Sequence, residues 1–202
     1  MSSLGINNND DILIYDNSDL KSSCRCWFSL LYFGHDEKKI HILNGGLKKW
    51  IFENKPITKL TTEIIESNYV ANEKENLVVS FDQIKKNILS KSFNVIDARS
   101  LERFEGKVSE PRKGLRSGHI QNSFCLPFNL CINQKTGEFK NLEELRELFN
   151  QNENIEKRLD QVFTCGSGVT AAVLAYAYKM VNNDYIPKIY DGSWSEYGKY
   201  PA

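Results

Sequence analysis

No apolar run in the 202-residue sequence approaches the roughly 20 residues needed to cross a bilayer, so no membrane-spanning helix is expected. An excess of either charge is also missing. Lys and Arg number 26, Asp and Glu number 26, and the formal net charge is zero. A general polyanion binder carries a basic face, and none is evident, so nucleic acid is not an expected partner. Cysteine is odd in number, five residues without regular spacing, which argues against a disulfide framework and fits a reducing compartment. The first eleven residues have neither the apolar core of a secretion signal nor the Arg-rich pattern of a transit peptide. Histidine is scarce: His35, His41 and His119 form no convincing ligand set with the cysteines. Neither a metal nor another cofactor is expected.

What is present is ordinary for a soluble chain, 41% hydrophobic and 26% charged, at a length that fits one large or two small domains. Short apolar runs at 12–15, 40–43, 93–97, 123–126, 161–164 and 188–190 read as strands. Between them lie helical stretches. Cys26 to Phe33 is closed by Gly34, and Leu47 to Phe52 follows the turn Asn44-Gly45-Gly46. Ser80 with Gln83 and Asn141 with Glu144 have capping-box spacing and predict helix starts. Thr170 to Val181 is an Ala-rich helix. Strands alternating with helices predict an α/β fold with a central parallel sheet covered on both faces.

Two segments repeat one order of parts. The first runs strand, Asp16, helix, strand, Asn44-Gly45-Gly46, then an aromatic-ended helix at Trp50. The second runs strand, Cys165, helix, strand, Asp191-Gly192-Ser193, then Trp194 to Tyr197. Such self-similarity suggests two related units. The second has a helix, a strand and a long charged loop ahead of Cys165, from Ser80 onward. The first has only eleven residues ahead of its strand, so it is expected to lack its front half. The expected organisation is the second half of one domain over 1–53, a linker over 54–79, and a complete domain over 80–202.

Cys165 follows a strand and precedes a helix, with Gly166, Ser167 and Gly168 between. These residues let the backbone turn sharply and aim its N–H groups inward. Together with the positive end of the following helix, the donors favour a thiolate or persulfide anion, a nucleophile that needs no dedicated base. Cys24, Cys26, Cys125 and Cys131 lack such flanks and read as packing residues.

The run Cys165-Gly166-Ser167-Gly168-Val169-Thr170-Ala171 resembles the active-site loop of 3-mercaptopyruvate sulfurtransferases in the rhodanese superfamily. Asp97-Ala98-Arg99, Arg103-Phe104, Glu110-Pro111-Arg112, Gly118-His119-Ile120, Asp191-Gly192-Ser193-Trp194 and Leu43-Asn44-Gly45-Gly46-Leu47 resemble that family too. The resemblance implies a rhodanese-like three-layer fold, one complete domain plus the second half of another. It implies that Cys165 carries sulfur, that Ser167 assists, and that Arg103 and Arg112 bind the substrate carboxylate. Gly166, Gly168, Val169 and Thr170 would complete the substrate loop. A guanidinium fork suits a carboxylate, although both arginines have acidic neighbours in Glu102, Glu105 and Glu110 that could hold them instead. Asp97, Arg99 and His119 read as structural. The implied partners are a small sulfur donor, 3-mercaptopyruvate or thiosulfate, and thioredoxin, another thiol or cyanide as acceptor. The implied compartment is the cytoplasm, alternatively the mitochondrion.

The family's full-length members contribute an acidic residue and a histidine from the first domain, and no counterpart is found here. A catalytically inactive remnant is therefore the rival to an active enzyme. A rhodanese-related phosphatase would need an arginine near the end of the loop, where Ala171 stands. Thiosulfate sulfurtransferases carry Arg and Lys where Gly166 and Ser167 stand. Replacing Gly166 and Ser167 by Arg and Lys should shift preference toward thiosulfate, a dianion. Initial rates with the two donors compare them, and an unchanged ratio would mean that the loop does not set the choice.

Overall fold

Short β-branched runs alternate with amphipathic segments from the start of the chain, and the structure alternates accordingly. The computed structural model describes residues 1–151 and 155–200. Its first unit is β1 (Ile12–Ile14), α1 (Lys21–Tyr32), β2 (Ile40–Ile42) and α2 (Gly46–Phe52). β1 and β2 pair in parallel, with Ile12 opposite Ile40. The second unit opens with α3 (Phe81–Ser90), β3 (Phe93–Asp97), α4 (Leu101–Phe104) and β4 (Ser123–Cys125). It closes with α5 (Leu142–Asn150), β5 (Asp160–Thr164), α6 (Val169–Val181) and α7 (Ser193–Tyr197). Its sheet is parallel in the order β4-β3-β5.

Side chains alternate across that sheet with the period of two that a strand imposes. Ile96, Phe163 and Ile189 face one core with α1, α5 and α6, whereas Val95, Val162 and Tyr190 face another with Ile84 and Trp194. This is the expected three-layer arrangement. Both capping boxes form. Ser80 Oγ accepts the Gln83 N–H at 3.3 Å, and Gln83 Oε1 accepts the Ser80 N–H at 2.7 Å. The Asn141 and Glu144 pair closes at 2.9 and 3.0 Å.

Two expectations change. The strand expected at 188–190 is reduced to bridges at Ile189, toward Phe163 on one side and Val78 on the other. The Lys188 N–H goes to the Tyr185 hydroxyl instead, and the chain turns at Ser193 with φ 53°. α1 begins at Lys21, before the expected Cys26. A carboxylate explains the early start: Asp16 accepts the N–H groups of Leu20 and Ser23, which a helix start leaves without partners.

The first unit packs on the second through α1 and α6. Leu20, Cys24, Trp27, Phe28 and Leu31 recur at helical spacing and are buried. α6 is rich in small residues, with Ala171, Ala172, Ala175 and Ala177 all fully buried, and Ala172 lies on the side of the helix that carries Tyr176. Trp27 meets Tyr176 edge to face at 4.9 Å. Residues 54–74 are irregular and largely exposed, yet tied back. Asn8 exchanges hydrogen bonds with Val70, and the N–H groups of Asn72 and Lys74 donate to Phe33 and Tyr32. Leu77 and Val79 then bond the backbone of Ile189. No helix among the described residues is long and apolar enough to cross a membrane.

Asp16 Oδ2 accepts the Ser23 N–H at 2.8 Å and the Ser18 hydroxyl at 2.9 Å, and Oδ1 accepts the N–H groups of Ser18 and Leu20 at 3.2 Å. Burial alone would raise this carboxyl, but the Ser23 and Ser18 donors outweigh it and hold it below its ordinary value. A depressed folded value gives stability that is present above the unfolded value and lost as pH falls through the folded one. Asp16→Asn should therefore cost about 1–3 kcal/mol near pH 7. The gap from the unsubstituted chain should close as pH drops below about 4. Urea unfolding across a pH series measures it, and a gap that stays constant would rule out the carboxylate as its source.

Candidate active site

β5 ends at Thr164, and Cys165 opens the turn into α6. The thiol is 2% exposed, and its Sγ accepts the Ser167 N–H at 3.4 Å. The turn is pinned from the far side by the start of α7. The Cys165 N–H donates to Ser193 Oγ at 3.4 Å, and the Ser193 hydroxyl donates to Tyr190 O at 2.9 Å. The N–H groups of Trp194 and Ser195 bond the carbonyls of Cys165 and Gly166 at 2.9 and 3.0 Å. Gly168 sits ahead of α6 at φ 79°, where a side chain would be strained and would overlap the Asp191 carboxylate. Val169 and Thr170, both half-buried, form the first turn of α6, whose leading N–H groups lack helical partners.

Both expected arginines reach this turn. A Cβ on Gly166 would lie 3.0 Å from Arg103 Nη2 and 3.5 Å from Arg112 Nη1, so the missing side chain makes room for two guanidinium groups. They are held differently. Arg103 is gripped by Glu110, through Nη2 to Oε2 at 2.6 Å and Nε to Oε1 at 3.2 Å. Glu110 also takes Arg99 Nη1 at 2.9 Å, and Arg99 is paired with Asp97 at 2.6 Å. The side chains of Asp97, Arg99 and Glu110 are at most 1% exposed. Glu105 pairs with Lys107 instead. Arg112 is exposed and makes no hydrogen bond or ion pair among the described residues. The Ser167 hydroxyl is likewise without a partner among them, and the residue is half-buried.

The remaining residues singled out from sequence are structural. Arg99 ties β3 to the long loop by donating to Gly118 O at 2.8 Å. His119 donates to Phe104 O at 2.8 Å and stacks on that ring at 4.0 Å. Trp194 is buried between the guanidinium groups of Arg99 and Arg116, at 4.5 and 4.7 Å. Burial pushes the thiols of Cys24, Cys125 and Cys131 up, the last two to about 12, which disfavours their thiolate forms.

Sequence reasoning missed Arg25. From α1 it pairs with Asp191 and donates from Nη1 to Gly168 O at 3.4 Å. The one available signal was a charge beside buried Cys24 and Trp27 on α1, and nothing local connects it to a loop more than a hundred residues away.

Fold and turn together define a parallel α/β protein that sets a cysteine in an amide-lined turn between strand and helix, under two arginines. The chain belongs to the rhodanese family: the rhodanese-like domain matches residues 80–200. It is 38% identical to thiosulfate/3-mercaptopyruvate sulfurtransferase 2 of Arabidopsis thaliana, over 99% of this chain and 63% of that protein. It is 35% identical to 3-mercaptopyruvate sulfurtransferase of Homo sapiens, over 96% of this chain and 64% of that protein. The chain thus spans somewhat under two thirds of these relatives. Among solved structures, it superposes with TM-score 0.81 and 31% identity on SseA, a 3-mercaptopyruvate sulfotransferase of Escherichia coli, covering 96% of this chain and 71% of that one. Tum1 of Saccharomyces cerevisiae gives 0.86 at 27% identity, covering 98% and 69%.

Glu110 is the buried anion between two arginines, and its removal leaves two cations without their shared partner. Glu110→Ala should cost about 3–5 kcal/mol in chemical unfolding. A loss below about 1 kcal/mol would show that Arg99 and Arg103 are held by other contacts.

Proposed function

We propose that the chain is a sulfurtransferase that takes sulfur from 3-mercaptopyruvate onto Cys165 and passes it to a thiol, such as thioredoxin, or to cyanide. The observation that carries this reading is Cys165 Sγ against the Ser167 N–H, in the turn over which Arg103 and Arg112 converge. The Cys165 thiolate attacks the donor sulfur, and the carbon–sulfur bond breaks with its electron pair going to carbon. The resulting enolate takes the sulfhydryl proton, giving pyruvate and a Cys165 persulfide. An acceptor thiolate or cyanide then attacks the outer sulfur, breaks the S–S bond and returns the Cys165 thiolate. The roles divide by environment. Arg112, without a partner among the described residues, takes the substrate carboxylate, with Arg103 held beside it by Glu110. Gly166, Gly168, Val169 and Thr170 line the turn with amide groups, and the Ser167 hydroxyl attends the sulfur. Residues 80–202 form the catalytic domain, 54–79 a linker, and 1–53 part of a related domain whose loop holds Asp16 in place of a cysteine.

The names of the relatives include thiosulfate as well as mercaptopyruvate. Charge favours the latter. Arg103 is offset by Glu110 and Arg25 by Asp191, so Arg112 is the cation left over at the turn among the described residues. One free cation suits a monoanionic donor better than a dianion.

Incubation of the chain with 3-mercaptopyruvate should release pyruvate and add the mass of one sulfur to Cys165. Cys165→Ser should abolish both, and turnover surviving in that variant would end the assignment. Arg112→Ala should raise KM for mercaptopyruvate roughly 10- to 100-fold, the loss of a charge-assisted hydrogen bond. Steady-state kinetics give the comparison, and an unchanged KM would remove Arg112 from carboxylate binding.

A further inference from the structure

The second unit supplies every group assigned above, yet one contact to the turn comes from the first. Asp191 lies at the rim. Its carboxylate occupies the space a Gly168 side chain would need, and Ser193, two residues on, accepts the Cys165 N–H. A bare carboxylate there would oppose a thiolate, a persulfide and an anionic donor alike. Arg25 meets it with both terminal guanidinium nitrogens, Nη1 on Oδ1 and Nη2 on Oδ2 at 3.4 Å, while Nη1 also reaches Gly168 O. The other charges facing the turn are Arg103 from α4 and Arg112 from the loop that follows it, with Glu110 behind Arg103. α6 contributes only uncharged Val169 and Thr170 to its first turn, and Glu196 of α7 is bonded by the Tyr190 hydroxyl.

We infer that Arg25 is a positioning residue for the cysteine chemistry: by neutralising Asp191 from α1, it keeps the turn favourable to a Cys165 anion and to an anionic donor. The inference rests on Cys165 being the sulfur carrier. Arg25 does not touch the reacting atoms. It acts through Asp191, and the Gly168 carbonyl helps fix it there. The side chains of the pair are 33% and 41% exposed. An ion pair that open to solvent adds little stability, so its chemical effect can be separated from folding.

The test is the rate at which iodoacetamide, an uncharged reagent, alkylates Cys165 at neutral pH. Mass spectrometry reads it on the Cys165 peptide, alongside kcat/KM for mercaptopyruvate. Arg25→Ala should slow alkylation about three- to tenfold, the effect of one uncompensated charge nearby. Its thermal midpoint should stay within about 4 °C of the unsubstituted chain. Arg25→Ala combined with Asp191→Asn should recover most of the rate, because the anion is gone with its partner. Asp191→Asn alone should alkylate at least as fast as the unsubstituted chain, which keeps the test open if Arg25→Ala fails to fold. An unchanged rate in Arg25→Ala, a double variant as slow as the single one, or a slower Asp191→Asn would each overturn the inference. Failure of the underlying reading looks different: the unsubstituted chain itself would gain no sulfur on Cys165.

Discussion

A chain that passes from a strand through a short turn into a helix exposes several backbone N–H groups that have no partner in either element. Something must accept them, and that requirement shapes both halves of this protein. After β1 the acceptor is Asp16, whose two oxygens take donors from Ser18, Leu20 and Ser23. After β5 the acceptor is the sulfur of Cys165, which takes the Ser167 N–H. The two turns solve one problem with different atoms. A carboxylate surrounded by donors is fully used in holding the fold. A sulfur that meets one donor is less fully used, and the other amides of the turn remain open.

The surrounding charges follow from the same constraint. An anion in a turn needs positive potential, but unpaired buried cations are costly. Asp97, Arg99, Glu110 and Arg103 resolve this as an alternating series that starts in the core and ends at the turn. Its net charge is zero, so it fixes the direction of Arg103 without building a strongly positive pocket. Arg112, exposed on the loop between α4 and β4, supplies the remaining charge where solvent can screen it.

Much of this was legible in the sequence. Ser80 with Gln83 and Asn141 with Glu144 mark helix starts through local spacing, and both form. Cys165 stood out because glycines flank it between a strand and a helix. What was not legible depends on distance along the chain or on competition for one donor. The strand at 188–190 shortens to bridges at Ile189, and the Tyr185 hydroxyl takes the Lys188 N–H, which no apolar pattern reveals. The early start of α1 depends on Asp16 reaching forward seven residues to Ser23. Glu110 was one of three acidic neighbours of Arg103, and only the fold shows that it, buried and shared with Arg99, is the partner. The meeting of Arg25 with Asp191 needs α1 packed on α6.

That packing explains how a half-buried ion pair can matter to chemistry while adding little to stability. Trp27 and Phe28, buried beside Arg25 on α1, set the helix against the alanines of α6. The guanidinium is therefore delivered to Asp191 by a core whose formation does not depend on it, and little further ordering is needed to make the contact. The first unit has no cysteine in its own loop and, among the described residues, no hydrogen bond to the sulfur, yet its hydrophobic seam fixes where a charge sits at the neighbouring turn. A weak contact held by a strong interface acts through its placement, and its value is read in the reactivity of Cys165 more than in resistance to unfolding.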